Sequence, residues 1–333
     1  MNRGYDYSPF FYKKGRFFNP HIENIKRSLK DLAMWQLGCY RETEEALPPH
    51  QAPYAPPHAS RGEALVEWIN HSTFLVQSER RVILTDPIWS QRCSPLSWIG
   101  PKRLHPPGRT IHSLPAVDIV LISHDHYDHL DCSTVDWLHK TFPKIVWVVP
   151  LGLKAWFRRR KISRIVEMKW WESITLPNKG HDTPLQICAV PSQHYSGRKS
   201  WCGNQSLWNG YIVEFPLSSG RNKKMYFVGD TGYNPYDFTA IGKHFAPIDL
   251  SLIPIGAYSP RDFMAPVHIS PREAVSIHQE VGSQFSLGMH WNTFPLSEEG
   301  RENPSLELSF ACRRQNLSPE AFCTLSPGVS ISW

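Results

Sequence analysis

The sequence lacks the features that place a chain outside the cell or across a membrane. Its seven cysteines are odd in number, scattered, and include no C-x-x-C pair, which argues against a disulfide framework and favours a reducing compartment. No run approaches the roughly 18–20 apolar residues of a membrane span, and residues 1–40 contain no segment flanked like a signal peptide. We therefore expect a cytoplasmic protein without a transmembrane segment, at most peripheral to a membrane.

A strong excess of one charge is also missing. The formal net charge is +6 over 333 residues, which is compatible with an anionic substrate or a membrane surface but is weak support for nucleic acid. The basic cluster at 158–164 is interpreted as the solvated end of a helix. We expect no nucleic-acid partner.

Proline, by contrast, is abundant, with 29 residues, and this favours a loop-rich fold that contains β-structure. Five prolines within 48–57 indicate a stiff connection. The predicted organisation is an N-terminal extension with this connection over 1–60 and a main domain over 61–333. The aromatic-basic stretch at 10–18 is either an arm packed on the main domain or an interfacial membrane anchor.

Short apolar runs alternate with helical patterns along the main domain, which predicts an α/β fold. The predicted strands are 64–77, 81–87, 116–123, 144–150, 185–192, 209–215, 224–230 and 249–256. The predicted helices are 22–37, 133–141, 151–160 and 271–281. The last begins at a capping box, with Ser270 at the N-cap, Pro271 in the first turn and Glu273 three residues after the cap.

One segment concentrates potential metal ligands directly after the run that ends at Ile122. His124, His126, Asp128 and His129 form the pattern H-x-H-x-D-H, whose imidazole and carboxylate donors suit zinc, manganese or iron. Four ligands within six residues cannot all bind one ion from a regular helix or strand. A loop at a strand end could instead share them between two ions.

A pair of metal ions needs further ligands, and three later positions fit. His194, Asp230 and His290 each end a β-like run, and a carboxylate such as Asp230 can bridge two ions. Within the motif segment, Asp125 and Tyr127 are interpreted as spacers, and Asp131 is expected to cap the next helix.

In chain order, Asp86 in LTDP, the segment HDHYDH, His194, Asp230 and His290 resemble the metallo-β-lactamase fold superfamily. The resemblance implies a four-layer αββα sandwich with two metals at one edge of its sheets. It implies that His124, His126 and His194 hold the first metal, that Asp128, His129 and His290 hold the second, and that Asp230 bridges them. Asp86 is then a carboxylate that holds the ligand loop. Some β-lactamases use Cys where this chain has Asp230, so antibiotic hydrolysis is disfavoured.

A closer resemblance covers about residues 62–325. Several segments are similar to N-acyl-phosphatidylethanolamine-hydrolysing phospholipase D. They are LTDPIWSQRCSP, GPKRLHPPG, VPLGLKAWF, FVGDTGY, IPIGAYSPRDFM and MHWNTF. The resemblance implies a phosphodiesterase that binds two Zn²⁺ ions. Mn²⁺ or Fe²⁺ are the alternative metals. It would act on phospholipid at a membrane surface and release an N-acylethanolamine and phosphatidic acid by attack of metal-bound hydroxide on phosphorus. It also implies that His268 faces the substrate phosphate, so Asp230 and His268 are the catalytic candidates.

Other functions stay open at this point. A lactonase or other small-ester hydrolase of the same fold is the main alternative, while a metal-dependent nuclease and a non-catalytic binding protein are disfavoured. The oligomeric state is open, a homodimer included. The tryptophans near the motifs line an acyl groove, enter a membrane interface, or simply pack in the core; they are Trp89, Trp98, Trp156, Trp170, Trp171, Trp201, Trp208 and Trp291.

Overall fold

The computed structural model describes residues 11–22, 63–78, 81–177, 184–198 and 203–333. The predicted helix from residue 23 onward, the proline-rich connection at 48–57, the turn residues 79–80 and Trp201 lie outside these ranges. Within them, no helix is both long enough and apolar enough to cross a membrane.

The described strands fall into two seven-stranded sheets and one small hairpin. In chain order they are β1 (Tyr12–Lys13), β2 (Arg16–Phe17), β3 (Ala64–Asn70), β4 (Thr73–Ser78), β5 (Val82–Thr85), β6 (Ile119–Leu121), β7 (Val146–Pro150), β8 (Ile165–Met168), β9 (Ser173–Leu176), β10 (Leu185–Pro191), β11 (Asn209–Pro216), β12 (Asn222–Phe227), β13 (Ile248–Pro254), β14 (Ser283–Met289), β15 (Phe322–Cys323) and β16 (Ser330–Ser332). The N-terminal sheet has the order β16-β3-β4-β5-β6-β7-β8, and the C-terminal sheet has the order β15-β14-β13-β12-β11-β10-β9.

Helices cover the outer face of each sheet. They are α1 (Cys132–Thr141), α2 (Lys154–Arg159), α3 (Pro235–Phe245), α4 (Arg261–Met264), α5 (Pro271–Glu280) and α6 (Asn303–Arg314), with one 3₁₀ turn at Ile111–Ser113. Leu138 of α1 and Phe157 of α2 pack with Leu84 and Val120 on the outside of the N-terminal sheet. On the other side of the molecule, α5 packs against β13 and β14 of the C-terminal sheet. The facing sides of the two sheets form one continuous core. The order of layers is therefore αββα, as predicted.

Parallel pairing brings strand ends to a common edge. In the N-terminal sheet β5, β6, β7 and β8 run parallel, and in the C-terminal sheet β12, β13 and β14 do so. Because the carboxyl ends of parallel strands meet at one edge, the segments after β5, β6, β12 and β14 emerge together. The segments after β6, β12 and β14 carry six of the seven predicted ligands. The seventh, His194, follows β10, which runs in the same direction as β12 because each pairs antiparallel with β11.

The prediction of one strand over 64–77 is wrong. The chain turns at His71 and Ser72, and β3 pairs back antiparallel on β4. His71 has a φ of 46°, a left-handed conformation that a continuous strand excludes. The helices α3 and α6 were not predicted. The start of α3 has a recognisable cap, because the Asn234 side chain accepts a hydrogen bond from the Asp237 N–H. The capping box of Ser270 and Glu273 is present as predicted.

The aromatic arm at residues 11–22 packs on the sandwich. Phe11 and Phe17 are buried in a cluster with Trp170, Leu207 and Trp208. Tyr12 is about half exposed, at 51%. The arm ends next to His194, and this places an N-terminal residue among the supports of the site described below.

Candidate metal centre

All seven predicted ligand candidates meet at the shared edge of the two sheets. Their donor atoms fall into overlapping groups that also include His71, Asp86 and His268, and within each group every atom lies within 4.8 Å of the others. In the first group, the His126 Nδ1 lies 2.8 Å from the His124 Nε2 and 3.2 Å from the His194 Nε2. The first group thus collects three imidazole nitrogens from two separate strand ends.

The second group combines two carboxylates with two imidazoles. The Asp128 Oδ2 lies 3.2 Å from the His129 Nε2 and 3.3 Å from the His290 Nε2. The Asp230 Oδ2 lies 3.2 and 3.1 Å from the same two nitrogens. It is also 3.9 Å from the His124 Nε2 and 3.8 Å from the His194 Nε2. Asp230 therefore stands between the two groups.

These spacings fit ligands that point at a common ion. Zinc bonds of about 2.0–2.1 Å in a tetrahedron place neighbouring ligand atoms roughly 3.3–3.4 Å apart. Among the residues that the structure describes, the His129 Nε2, the His290 Nε2 and the Asp230 Oδ1 are buried and make no hydrogen bond. Buried polar atoms without partners are costly, and a bound cation would satisfy all three.

Hydrogen bonds behind the imidazoles fix which nitrogen faces the site. The His129 Nδ1 donates to the Asp86 Oδ2 over 2.7 Å, and the His194 Nδ1 donates to the Val267 carbonyl over 3.0 Å. Asp86 also accepts from the Ser123 N–H and hydroxyl at 2.7 and 2.5 Å, and the same hydroxyl oxygen lies 2.8 Å from the His124 Nδ1. A proton on Nδ1 leaves Nε2 free to bind a metal.

The two carboxylates remain charged although they are buried. Burial alone would raise the pKa of Asp128 and of Asp230, but the neighbouring His129 imidazole outweighs it and holds both well below their usual range. Burial alone would lower the pKa of His290, yet Asp230 and Asp128 raise it to about 9. The carboxylates therefore require positive charge beside them, and a divalent cation provides it.

The imidazoles of the first group behave differently. Burial and the neighbouring His129 lower the pKa of His124 well below its ordinary value, and burial and His126 do the same for His194. Both rings are thus neutral near pH 7. Neutral imidazole is the form that binds a metal.

Three residues that matter here were missed or misread from sequence. His71, in the turn between β3 and β4, places its Nε2 2.9 Å from the Asp128 Oδ2. Asn19 donates to the His194 carbonyl over 2.8 Å and accepts from the His194 N–H over 3.1 Å. Neither has a motif signal, since each contact joins residues that are far apart in the chain. Asp125 is not a spacer, because its carboxylate accepts from the main-chain N–H groups of Gly197 and Arg198.

The remaining predicted residues lie around this cluster. His268 is 12% exposed, and its Nδ1 lies 3.9 Å from the Asp230 Oδ2. Asp131 occupies the N-cap position of α1, but its carboxylate accepts from the Ser90 hydroxyl at 2.8 Å rather than from a main-chain N–H of that helix. Trp170, Trp208 and Trp291 are buried, whereas Trp98 is 72% exposed.

Comparisons with known proteins agree with this architecture. A family model for the beta-lactamase superfamily domain matches residues 81–291. The solved structure of a possible metal-dependent hydrolase from Veillonella parvula superimposes with a TM-score of 0.62 at 14% identity, covering 82% of this chain and 100% of that chain. The fold and the paired His/Asp groups define a metal-dependent hydrolase of the metallo-β-lactamase fold.

Sequence relatives narrow this class. The chain is 37% identical over 318 residues to N-acyl-phosphatidylethanolamine-hydrolyzing phospholipase D 1 of Caenorhabditis elegans, covering 93% of this chain and 87% of that protein. It is 33% identical over 258 residues to the mitochondrial protein of that name from Saccharomyces cerevisiae, covering 77% of this chain and 53% of that protein. The chain belongs to the N-acyl-phosphatidylethanolamine-hydrolysing phospholipase D family.

We predict that Asp86→Asn weakens metal binding about 10- to 100-fold, because the amide cannot accept all the hydrogen bonds that orient His129 and Ser123. The measurement is metal per chain after dialysis against graded chelator, with circular dichroism as the check on folding. Asp118→Asn is the matched control, a half-buried carboxylate just before β6 that bonds to Arg81 and to the Val82 N–H instead of a ligand. Equal metal retention in both folded variants would contradict the role of Asp86.

We predict that Asn19→Ala loosens the main chain of His194. Losing two hydrogen bonds of about 0.5–1.5 kcal/mol each should raise local opening by roughly one order of magnitude or more. Amide hydrogen exchange at His194 and the rate of metal release both report it. Asn19→Asp keeps the acceptor for the His194 N–H and should fall between wild type and alanine. Unchanged exchange at residue 194 would exclude this support.

Proposed function

We propose that this protein is a dinuclear zinc phosphodiesterase that hydrolyses N-acyl-phosphatidylethanolamine to an N-acylethanolamine and phosphatidic acid. One observation carries the proposal: the Asp230 Oδ2 lies within 3.9 Å of imidazole nitrogens from both ligand groups. A carboxylate shared in this way is the arrangement expected of two adjacent metal ions. The family membership supplies the substrate class.

The proposed ligands divide as the two groups do. His124, His126 and His194 hold one ion, Asp128, His129 and His290 hold the other, and Asp230 bridges them. Imidazole and carboxylate donors suit zinc, manganese or iron, and we propose zinc as the ion of this imidazole-rich site. When bound, the metal pair supplies a water activated at neutral pH and positive charge beside the phosphoryl oxygens.

His268 is proposed as the residue that faces the phosphodiester. Its ring lies 5.2 Å from the His194 ring and 5.3 Å from the His290 ring, so it sits beside both ligand groups. Its partial exposure leaves room for substrate. From this position an imidazole can donate a hydrogen bond to a phosphoryl oxygen or to the departing ethanolamide oxygen.

A loop at the rim of the centre supports action on a membrane. Leu96, Trp98 and Ile99 are 45%, 72% and 51% exposed. The loop is held at both ends by the segments that follow metal ligands: Ser90 donates to Asp131, and the Leu104 N–H donates to the Thr293 carbonyl. An exposed apolar tip beside a catalytic centre suits a lipid interface. We therefore propose peripheral membrane binding through this loop.

The test of the reaction is product analysis by mass spectrometry with N-acyl-phosphatidylethanolamine in ¹⁸O-labelled water. We expect wild type to release N-acylethanolamine, with the label in phosphatidic acid because water attacks phosphorus and the P–O bond to the ethanolamide breaks. Asp230→Asn should lose more than 99% of the activity, since it removes a bridging charge. Asp249→Asn, a carboxylate on β13 bonded to Arg221, is the control and should keep it.

Two outcomes would contradict this proposal. One is the absence of N-acylethanolamine from fully metallated wild type. The other is turnover of lactones in preference to the phospholipid, which would establish the small-ester alternative.

The test of the membrane loop is Trp98→Ser. We expect affinity for phosphatidylethanolamine vesicles to fall about tenfold or more, because an inserted aromatic side chain contributes about 1.5–3 kcal/mol. Turnover of a short-chain substrate in solution should be unchanged. The control is Phe310→Ser, which removes an exposed ring from the outer helix α6. Phe310 is 59% exposed and Trp98 is 72% exposed, and the Phe310 variant should leave vesicle binding intact. If sedimentation with vesicles is the same for both variants, the loop does not bind membrane.

A further inference from the structure

The turn between β3 and β4 places a histidine next to the second ligand group. His71 is 1% exposed and has a φ of 46°. A buried non-glycine residue in the left-handed region is strained, and such residues persist where their surroundings hold them in place. A β-hairpin turn that only reversed the chain would be served by glycine or asparagine. The conformation therefore directs attention to what the side chain does.

The side chain of His71 contacts two of the proposed ligands. Its Nε2 lies 2.9 Å from the Asp128 Oδ2, and its ring centroid is 4.1 Å from that of His290. Its main chain is fixed as well. The His71 carbonyl accepts from the His290 N–H over 3.1 Å, and the His71 N–H donates to the Thr293 hydroxyl over 2.8 Å.

These contacts connect the two sheets. β3 and β4 belong to the N-terminal sheet, as does the loop that carries Asp128, whereas His290 follows β14 of the C-terminal sheet. One residue thus sets the position of a carboxylate from one sheet against an imidazole from the other. The geometry of the second group depends on this contact.

The distance favours a hydrogen bond over a coordinating role. The separation of 2.9 Å between the His71 Nε2 and the Asp128 Oδ2 is typical of an N–H donating to a carboxylate, and it is shorter than the 3.1–3.3 Å between the other nitrogens and carboxylate oxygens of the group. Asp128 is also the more exposed of the two carboxylates, at 14% against 1%. Of the three imidazoles that contact its Oδ2, His71 is the nearest.

We propose that His71 is a positioning residue of the second metal site: its Nε2–H orients the Asp128 carboxylate toward the ion, and it is not itself a ligand. The inference rests on the metal centre of the proposed function, not on the identity of the substrate. Carboxylate ligands that lose such a partner typically bind metal about 10- to 100-fold more weakly.

The test compares His71→Leu with His71→Gln by zinc titration against a chromophoric chelator and by the d–d absorption of Co²⁺-substituted protein. We expect the leucine variant to bind the second equivalent of metal about 10- to 100-fold more weakly, with the first equivalent unchanged. Glutamine places an amide N–H near the position of the imidazole Nε2. It should restore affinity to within about threefold and keep the wild-type Co²⁺ spectrum.

The control is His278 on α5, another buried histidine, whose Nδ1 lies 2.7 Å from the Ser286 hydroxyl. His278→Leu should leave both metal equivalents as in wild type. If His71→Leu fails to fold, His71→Asn replaces it. Asparagine is well tolerated at positive φ, and its side chain is too short to serve Asp128, so it should behave as leucine would.

Two results would overturn the proposal. A glutamine variant that weakens the second site as much as leucine, with an altered Co²⁺ spectrum, would make His71 a ligand. Wild-type affinity in every folded variant would make its role purely structural. Both readouts are independent of substrate, so they stand even if the phospholipid is not hydrolysed.

Discussion

The structure of the site depends on keeping two carboxylates ionised between the sheets. Asp128 and Asp230 lie among imidazoles, and Asp230 is almost fully buried. An isolated charge there would be costly unless an opposite charge stood beside it. The edge of the sandwich meets this requirement by placing six imidazoles from five chain segments beside the two acids. Positive charge at this edge therefore has two roles. It stabilises the packing of the two sheets around the carboxylates, and it supports the proposed chemistry.

Each candidate ligand follows the end of a strand, and hydrogen bonds from elsewhere in the chain orient several of them. β6, β10, β12 and β14 bring the donor atoms to within a few ångströms, and Asp86, Val267, Asn19 and His71 then fix their orientation. Asp86 is itself held at a φ of 31°, so strain in the main chain coincides with the residues that aim the ligands. The strands supply approximate position, and the supporting hydrogen bonds supply direction.

Much of this was predictable from sequence because the ligands follow local patterns. The H-x-H-x-D-H motif and the β-like runs before His194, Asp230 and His290 indicated all seven candidates, and the resemblance to the metallo-β-lactamase superfamily implied the αββα fold. The supports were not predictable in the same way. Asn19 and His194 are 175 positions apart. The turn at His71 lies inside the run 64–77, which was predicted as one strand, and pairing between β3 and β4 sets its position. Contacts made by folding across such separations leave no periodic trace.

The ligand set alone does not define a substrate, since the metallo-β-lactamase fold presents similar centres for many reactions. A further feature of this chain is the way in which the loop at the rim is joined to the candidate ligands. The apolar loop with Trp98 is tied at one end to Asp131, two residues after His129, and at the other to Thr293, three residues after His290. Thr293 also accepts from the His71 N–H. Thr293 therefore anchors both the loop that would meet lipid and the residue that contacts the second ligand group. The same contacts set the geometry of substrate entry and the geometry of the centre.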